Sequence, residues 1–108
     1  MKRDDLFLGH ILEEIAFLRL AGEGLTYDGL LDDPIRQRAI IRSIEIIGEA
    51  TKNLSQKLKD EHTDIPWKLI AGSRDKMIHA YFDIDWRIVW NILTHEIPDL
   101  DEKMKNIL

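Results

Sequence analysis

Ten residues of this chain, SRDKMIHAYF at positions 73 to 82, hold a guanidinium, a carboxylate, an imidazole and a phenol close together. His79 belongs to the one side-chain class that titrates near neutral pH without help, so it can take or give a proton. Asp75 stands four residues before it, the helical spacing at which a carboxylate meets an imidazole and fixes its tautomer. Tyr81 stands seven residues beyond Arg74, about two helical turns further on. On physical grounds the segment reads as a helix bearing a fixed cation, an orientable acid or base and a phenol.

A helix turns about 100° per residue, which puts Arg74 at the centre of a stripe made by Trp67, Ile70, Met77, Ile78 and Tyr81. An unpaired guanidinium buried there costs several kcal/mol, so Arg74 must be paired or must look into a polar cleft. Both readings stay open. In the first, Arg74 pairs with a carboxylate of another helix, Glu45 or Glu49, and His79 lies on the surface. In the second, arginine and histidine serve one site, although a regular helix separates them by about 140° and about 7.5 Å.

Other chemistries find little support. His10, His62, His79 and His95 show no ligand spacing, the chain has no cysteine, and HILEE at residues 10 to 14 lacks a second histidine, so no metal site is expected. Neither a glycine-rich phosphate loop nor a G-x-S-x-G elbow occurs. The net charge of -5 and pI near 5.3 argue against a generic nucleic-acid binder and require any polyanion site to be local. The dense basic cluster Arg36, Arg38 and Arg42 fits a solvated face, because Arg38, Arg42, Glu45, Glu49, Lys52 and Gln56 form one mixed-charge stripe.

The elements that must carry these residues are helical. Leu8, Ile11, Ile15 and Leu18 define a first helix over residues 5 to 20, with an aspartate available as its N-cap. AGEGLTYDGLLDD then reads as a loop in which Thr26 caps a single turn. Asp33 and Pro34 start a second helix, whose seam runs through Ile40, Ile44, Ile47, Thr51, Leu54 and Leu58. A further stripe of Ile35, Ala39, Ile46 and Ala50 makes it a central helix or one that also faces a partner.

EHTDIPW ends that helix, and Pro66 opens a third that runs to about Phe82. Asp83 or Asp85 starts the fourth, which spans Trp86 to Ile107 with a kink at Pro98. The expectation is all-α: an antiparallel bundle of four long helices, with room for one short extra helix, over a single domain at residues 1–108. With 44% hydrophobic and 32% charged residues the profile is globular. The absence of cysteine, of a secretory core and of a membrane-length apolar run makes the cytoplasm the default compartment.

Arg74, His79 and Tyr81 together read R-x-x-x-x-H-x-Y, which resembles the signature of the HepT-like toxins within the HEPN group of helical domains. IIGEATKNLS in the second helix, IPWKLIAGSRD before the motif and YFDIDWRIVWNIL after it match that family's pattern in order and spacing. The resemblance covers nearly the whole chain, most weakly residues 20 to 34. It implies an all-helical homodimer that acts as a ribonuclease and is silenced by a cognate nucleotidyltransferase-fold antitoxin.

It also implies that the motif residues of two subunits face one cleft at the dimer axis and cleave RNA without a metal or other cofactor. Arg74 would hold the phosphate, His79 would transfer protons, and Asp75 would support His79, at a position where many relatives carry asparagine. Tyr81 matches the tyrosine that accepts AMP from the antitoxin. The alternatives are a non-catalytic HEPN-like dimer that binds a nucleotide or a partner nucleotidyltransferase, slightly favoured by the acidic balance, and a bundle that merely oligomerises.

Overall fold

The computed structural model describes residues 2–78 and 83–107. Helix α1 (Lys2–Ala21) begins earlier than its cap signal suggests, because Asp4 is engaged elsewhere. Its carboxylate is buried and accepts hydrogen bonds from Ser55 N at 2.8 Å and Ser55 Oγ at 2.6 Å. A carboxylate committed to a distant serine cannot cap its own helix. Leu8, Ile11, Ile15 and Leu18 are buried, as their period predicts.

Thr26 caps the short helix α2 (Tyr27–Leu31) by accepting from Gly29 N at 3.0 Å. Helix α3 (Pro34–Lys52) starts where Asp33 accepts from Arg36 N at 3.0 Å with proline in the first turn. Ile40, Ile44 and Ile47 of α3 are buried in the core that α3 shares with α1. The two helices run antiparallel: Asp4 meets Ser55, and Ser43 Oγ donates to the Glu14 carbonyl. Of the further stripe on α3, Ala50 is buried while Ile35 is 81% exposed, so that side is not covered along its length.

The second helix is shorter than its seam predicts. It stops at Lys52, and Ser55 caps a separate turn, α4 (Gln56–Glu61), by accepting from Leu58 N. Asn53 explains the stop: its amide donates to the Glu49 carbonyl at 2.8 Å, capping the last turn from within. Leu54 is still buried and Leu58 partly so, which is why the apolar period runs on through a break in the backbone.

The third long helix is absent as such. Two single turns replace it, α5 (Trp67–Ala71) and α6 (Ser73–Met77), interrupted at Gly72 with φ −92° and ψ 9°. At Ile78 the backbone is extended, with φ −115° and ψ 111°, and Ile78 forms an antiparallel bridge with Ile84. The Met77 carbonyl accepts from Asp85 N at 2.8 Å, so the bond that would extend α6 is taken by a residue beyond the motif.

Asp85, one of the two expected starting residues, caps α7 (Trp86–Asn91) by accepting from Arg87 N and Ile88 N. A π turn at Ile92–Glu96 links α7 to α8 (Ile97–Met104), which carries Pro98 in its first turn. Proline lacks the N–H that the preceding turn would use and crowds its carbonyl; the wider turn relieves both. The helix therefore continues past Pro98, as expected, with the irregularity placed just before the proline. Apart from the single bridge at Ile78 and Ile84, no strand structure occurs among the described residues, and the all-helical expectation holds.

Candidate functional site

Arg74 sits on α6, a turn too short to be stable alone, since helix nucleation costs more than one turn repays. Its neighbours on both sides supply the anchorage: Ser73 and Met77 are buried, and Trp67 and Ile70 of α5 join the core. Gly48 of α3 lets this segment come close. A Cβ there would lie 3.3 Å from the Ile70 carbonyl oxygen and 3.5 Å from that of Ala71. On the other side Lys76 Nζ lies 3.3 Å from both carboxylate oxygens of Glu96, which also accepts from Asn91 Nδ2 at 3.2 Å.

Arg74 is not the misplaced core residue that a regular helix would make it. The break at Gly72 shifts the phase of the turn, and the arginine side chain is 62% exposed. Its Nε donates to Glu45 Oε2 at 3.0 Å, so of the two carboxylates expected to compete for it, Glu45 is the partner. Among the described residues, the two terminal nitrogens of the guanidinium have no hydrogen-bond partner. A guanidinium held at Nε presents its outer edge as a fork for two oxygens of one anion.

Arg74 lines a cleft of about 270 Å³ together with Arg42, Glu45, Gly48, Glu49, Lys52 and Ala71. Lys52 pairs with Glu49 at 3.3 Å on the exposed rim. Solvent-exposed pairs of this kind contribute about 0–1 kcal/mol, so an incoming phosphate can compete for either cation. The mixed-charge stripe of α3 is thus more than a solvated face, since one side of it forms the wall of this cleft.

Asp75 is exposed on α6. The helical spacing expects it to orient His79 four residues on, and Tyr81 to stand two turns above Arg74; α6 as described ends at Met77, before either partner. His79 and Tyr81 themselves lie outside the described residues. Their flanks are placed: Ile78 leads into the segment from the end of α6, and Ile84 receives the chain across the bridge. Among the described residues no three His, Cys, Asp or Glu side chains converge to hold a metal ion, and no helix is long and apolar enough to cross a membrane.

Two contributors to the site were not legible in the sequence. The Glu96 tether to Lys76 joins residues 20 positions apart and follows from the π turn, for which Pro98 is the only local sign. Gly48 reads as an ordinary helix-interior glycine until the close approach of α5 is known.

The family model described as ribonuclease HepT-like matches residues 11–107. A protein of Caldanaerobacter subterraneus subsp. tengcongensis named "Putative RNase" is 45% identical over 108 residues, covering 100% of this chain and 96% of its own. One of Methanocaldococcus jannaschii with the same name is 38% identical over 102 residues, covering 94% and 84%. The "Probable ribonuclease HepT" of Thermococcus cleftensis is 39% identical over 101 residues, covering 94% and 92%. No solved structure matches significantly.

Proposed function

We infer, because this chain belongs to the HepT-like ribonuclease family, that it is the toxin of a toxin–antitoxin pair and cleaves RNA internally without a metal. The observation that carries this reading is the Arg74 fork, held at Nε by Glu45 and lining a cleft with two further cations. In the working enzyme, residues 1–108 form one HEPN-type unit, and two such chains in the cytoplasm bring their motifs to a shared cleft.

The chemistry follows from the residue types. The imidazole of one His79 takes the proton of a ribose 2′-hydroxyl, whose oxygen attacks the adjacent phosphorus. The bond from phosphorus to the 5′-oxygen breaks, and that oxygen takes a proton from the second subunit's His79 in its imidazolium form. The products are a 2′,3′-cyclic phosphate and a 5′-hydroxyl. Arg74 binds the non-bridging oxygens, where negative charge builds in the transition state. Asp75 supports the imidazole from the edge of the site. Tyr81 accepts AMP from a nucleotidyltransferase-fold antitoxin, and the added phosphate occupies the arginines and excludes RNA.

The net charge of -5 supports a second reading, a dimer that binds a nucleotide or the antitoxin without cleaving. Incubating purified protein with total RNA in EDTA, beside Arg74→Ala and His79→Ala, separates the two. The ribonuclease reading expects cleavage by the parent alone, leaving cyclic phosphate ends, with helical circular dichroism unchanged in both variants. Absence of cleavage by a parent whose intact mass shows no AMP leaves the binding module.

A further inference from the structure

A groove of about 530 Å³ lies beside the Arg74 cleft and shares Lys52 and Ala71 with it. Its volume falls within the roughly 300–1,000 Å³ of small-ligand sites. The floor is apolar, built in part from Ile65, Pro66 and Leu69, and Leu69 is 59% exposed and so accessible to a ligand. Lys52, Lys59 and Lys68 stand around that floor. The carboxylate of Asp60, also in the lining, accepts from Gln56 Nε2 at 2.9 Å. Among the described residues, neither Lys59 nor Lys68 forms an ion pair.

This arrangement matters in an acidic protein. The two adjoining depressions are lined by five basic side chains, Arg42, Lys52, Lys59, Lys68 and Arg74, against three carboxylates, Glu45, Glu49 and Asp60. A chain with net charge -5 therefore keeps a local positive excess on one continuous face that begins at the proposed phosphate fork. An apolar floor with ammonium groups at its margin suits a nucleobase with its phosphates, because single strands bind through stacking or apolar contact to bases and cationic contact to the backbone.

We propose that this groove binds the single-stranded RNA segment next to the cleaved phosphate, with a base on the Pro66 and Leu69 floor and neighbouring phosphates at Lys59 and Lys68. The proposal rests on the ribonuclease reading for its ligand and adds a substrate-binding subsite to it. It also makes the enzyme a reader of unpaired RNA, since a base in an A-form duplex cannot reach such a floor.

The test uses the full chain and a fluorescent single-stranded RNA with 2′-O-methyl groups, which cannot be cleaved through the 2′-oxygen. Binding is measured from low to moderate salt for the parent and for the Lys59→Gln/Lys68→Gln double variant. Loss of two phosphate contacts is expected to lower the logarithmic salt slope by about 1.4, at about 0.7 per contact, and to weaken binding on the order of tenfold at moderate salt. On unmodified RNA the same variant is expected to raise KM with kcat unchanged. An unaltered slope and affinity in the double variant would remove the groove from the RNA path while leaving the ribonuclease reading intact. Intact RNA binding with loss of binding to the partner nucleotidyltransferase would assign the groove to a protein and overturn the proposal. A parent that binds no RNA overturns the groove; the ribonuclease reading falls with it only if total RNA also survives.

Discussion

Helix α3 and the segment from Trp67 to Ile78 lie side by side, yet they are held by different forces. The first is one rod of 19 residues with a capped start and a buried isoleucine seam. The second is two turns of five residues each, joined at Gly72, whose anchors are two core side chains on α5, Met77 on α6 and ion pairs at Arg74 and Lys76. The long helix is stable by its own period and burial, whereas the short turns take their shape from what surrounds them. The candidate site therefore rests on the weaker element, and α3 is the ruler against which it is set.

Truncating the seam should cost most. Ile47→Ala is expected to lower stability by about 2–5 kcal/mol, because it removes buried methylenes and leaves a cavity. Urea unfolding followed by circular dichroism measures this, and a loss below about 1 kcal/mol would contradict the view that α3 is the structural ruler. Specific RNA cleavage per folded molecule should stay near the parent's.

Next comes the joint between the two regions' supports. Asp4→Ala strands the Ser55 amide and hydroxyl and should cost about 1–3 kcal/mol at neutral pH. The hydrogen bond from the Ser55 hydroxyl, followed by that from its amide, holds the Asp4 carboxyl below its ordinary value of 3.8 despite the opposing effect of burial. The folded pKa is below the unfolded one, so this stabilisation is complete above pH 3.8 and is lost as pH falls through the lower folded value. Unfolding midpoints of parent and variant should thus converge on acidification; a gap that stays constant to pH 2 would exclude the linkage.

Gly48→Ala sharpens the comparison because its two effects oppose. Alanine gains about 1 kcal/mol of helix propensity, while its Cβ presses on the Ile70 carbonyl at 3.3 Å. Net stability should change by less than about 1 kcal/mol, but α5 must yield by a few tenths of an ångström and move Arg74 with it. RNA cleavage reduced at constant thermal midpoint is the expected signature, and unchanged cleavage would show that the spacing of α3 from α5 does not set the site.

The smallest effect on folding should come from the site itself. Glu45→Gln breaks an ion pair to an arginine that is 62% exposed, so stability should change by about 0–1 kcal/mol. Cleavage should nevertheless fall, with the loss in kcat exceeding the change in KM, because a neutral amide oxygen holds the fork at Nε less firmly than a carboxylate. A variant with full kcat would reduce Glu45 to a surface partner.

Legibility followed the same division. The period of α1 and both the period and the cap of α3 were readable because burial and hydrogen bonding act within a few residues of Asp33, Pro34 and the isoleucine seam. The start of α2 at Thr26 and of α7 at Asp85 were readable for the same reason. The stop at Asn53 was hidden, since Leu54 and Leu58 stay on the buried side and keep the pattern going. The division of the third helix was hidden more deeply, because the Met77 carbonyl is claimed by the Asp85 amide across the chain rather than by any neighbour. For the site, Arg74 and its choice between Glu45 and Glu49 were visible in residue types and spacing; its exposure was not, since that depends on the break at Gly72.

The bridge between Ile78 and Ile84 bears on how displacement passes along the chain. Together with the Met77 carbonyl bound to the Asp85 amide at 2.8 Å, it fastens the end of α6 to the start of α7. A shift of α7 therefore reaches the turn that carries Arg74 through main-chain bonds, as well as through the tether from Lys76 to Glu96.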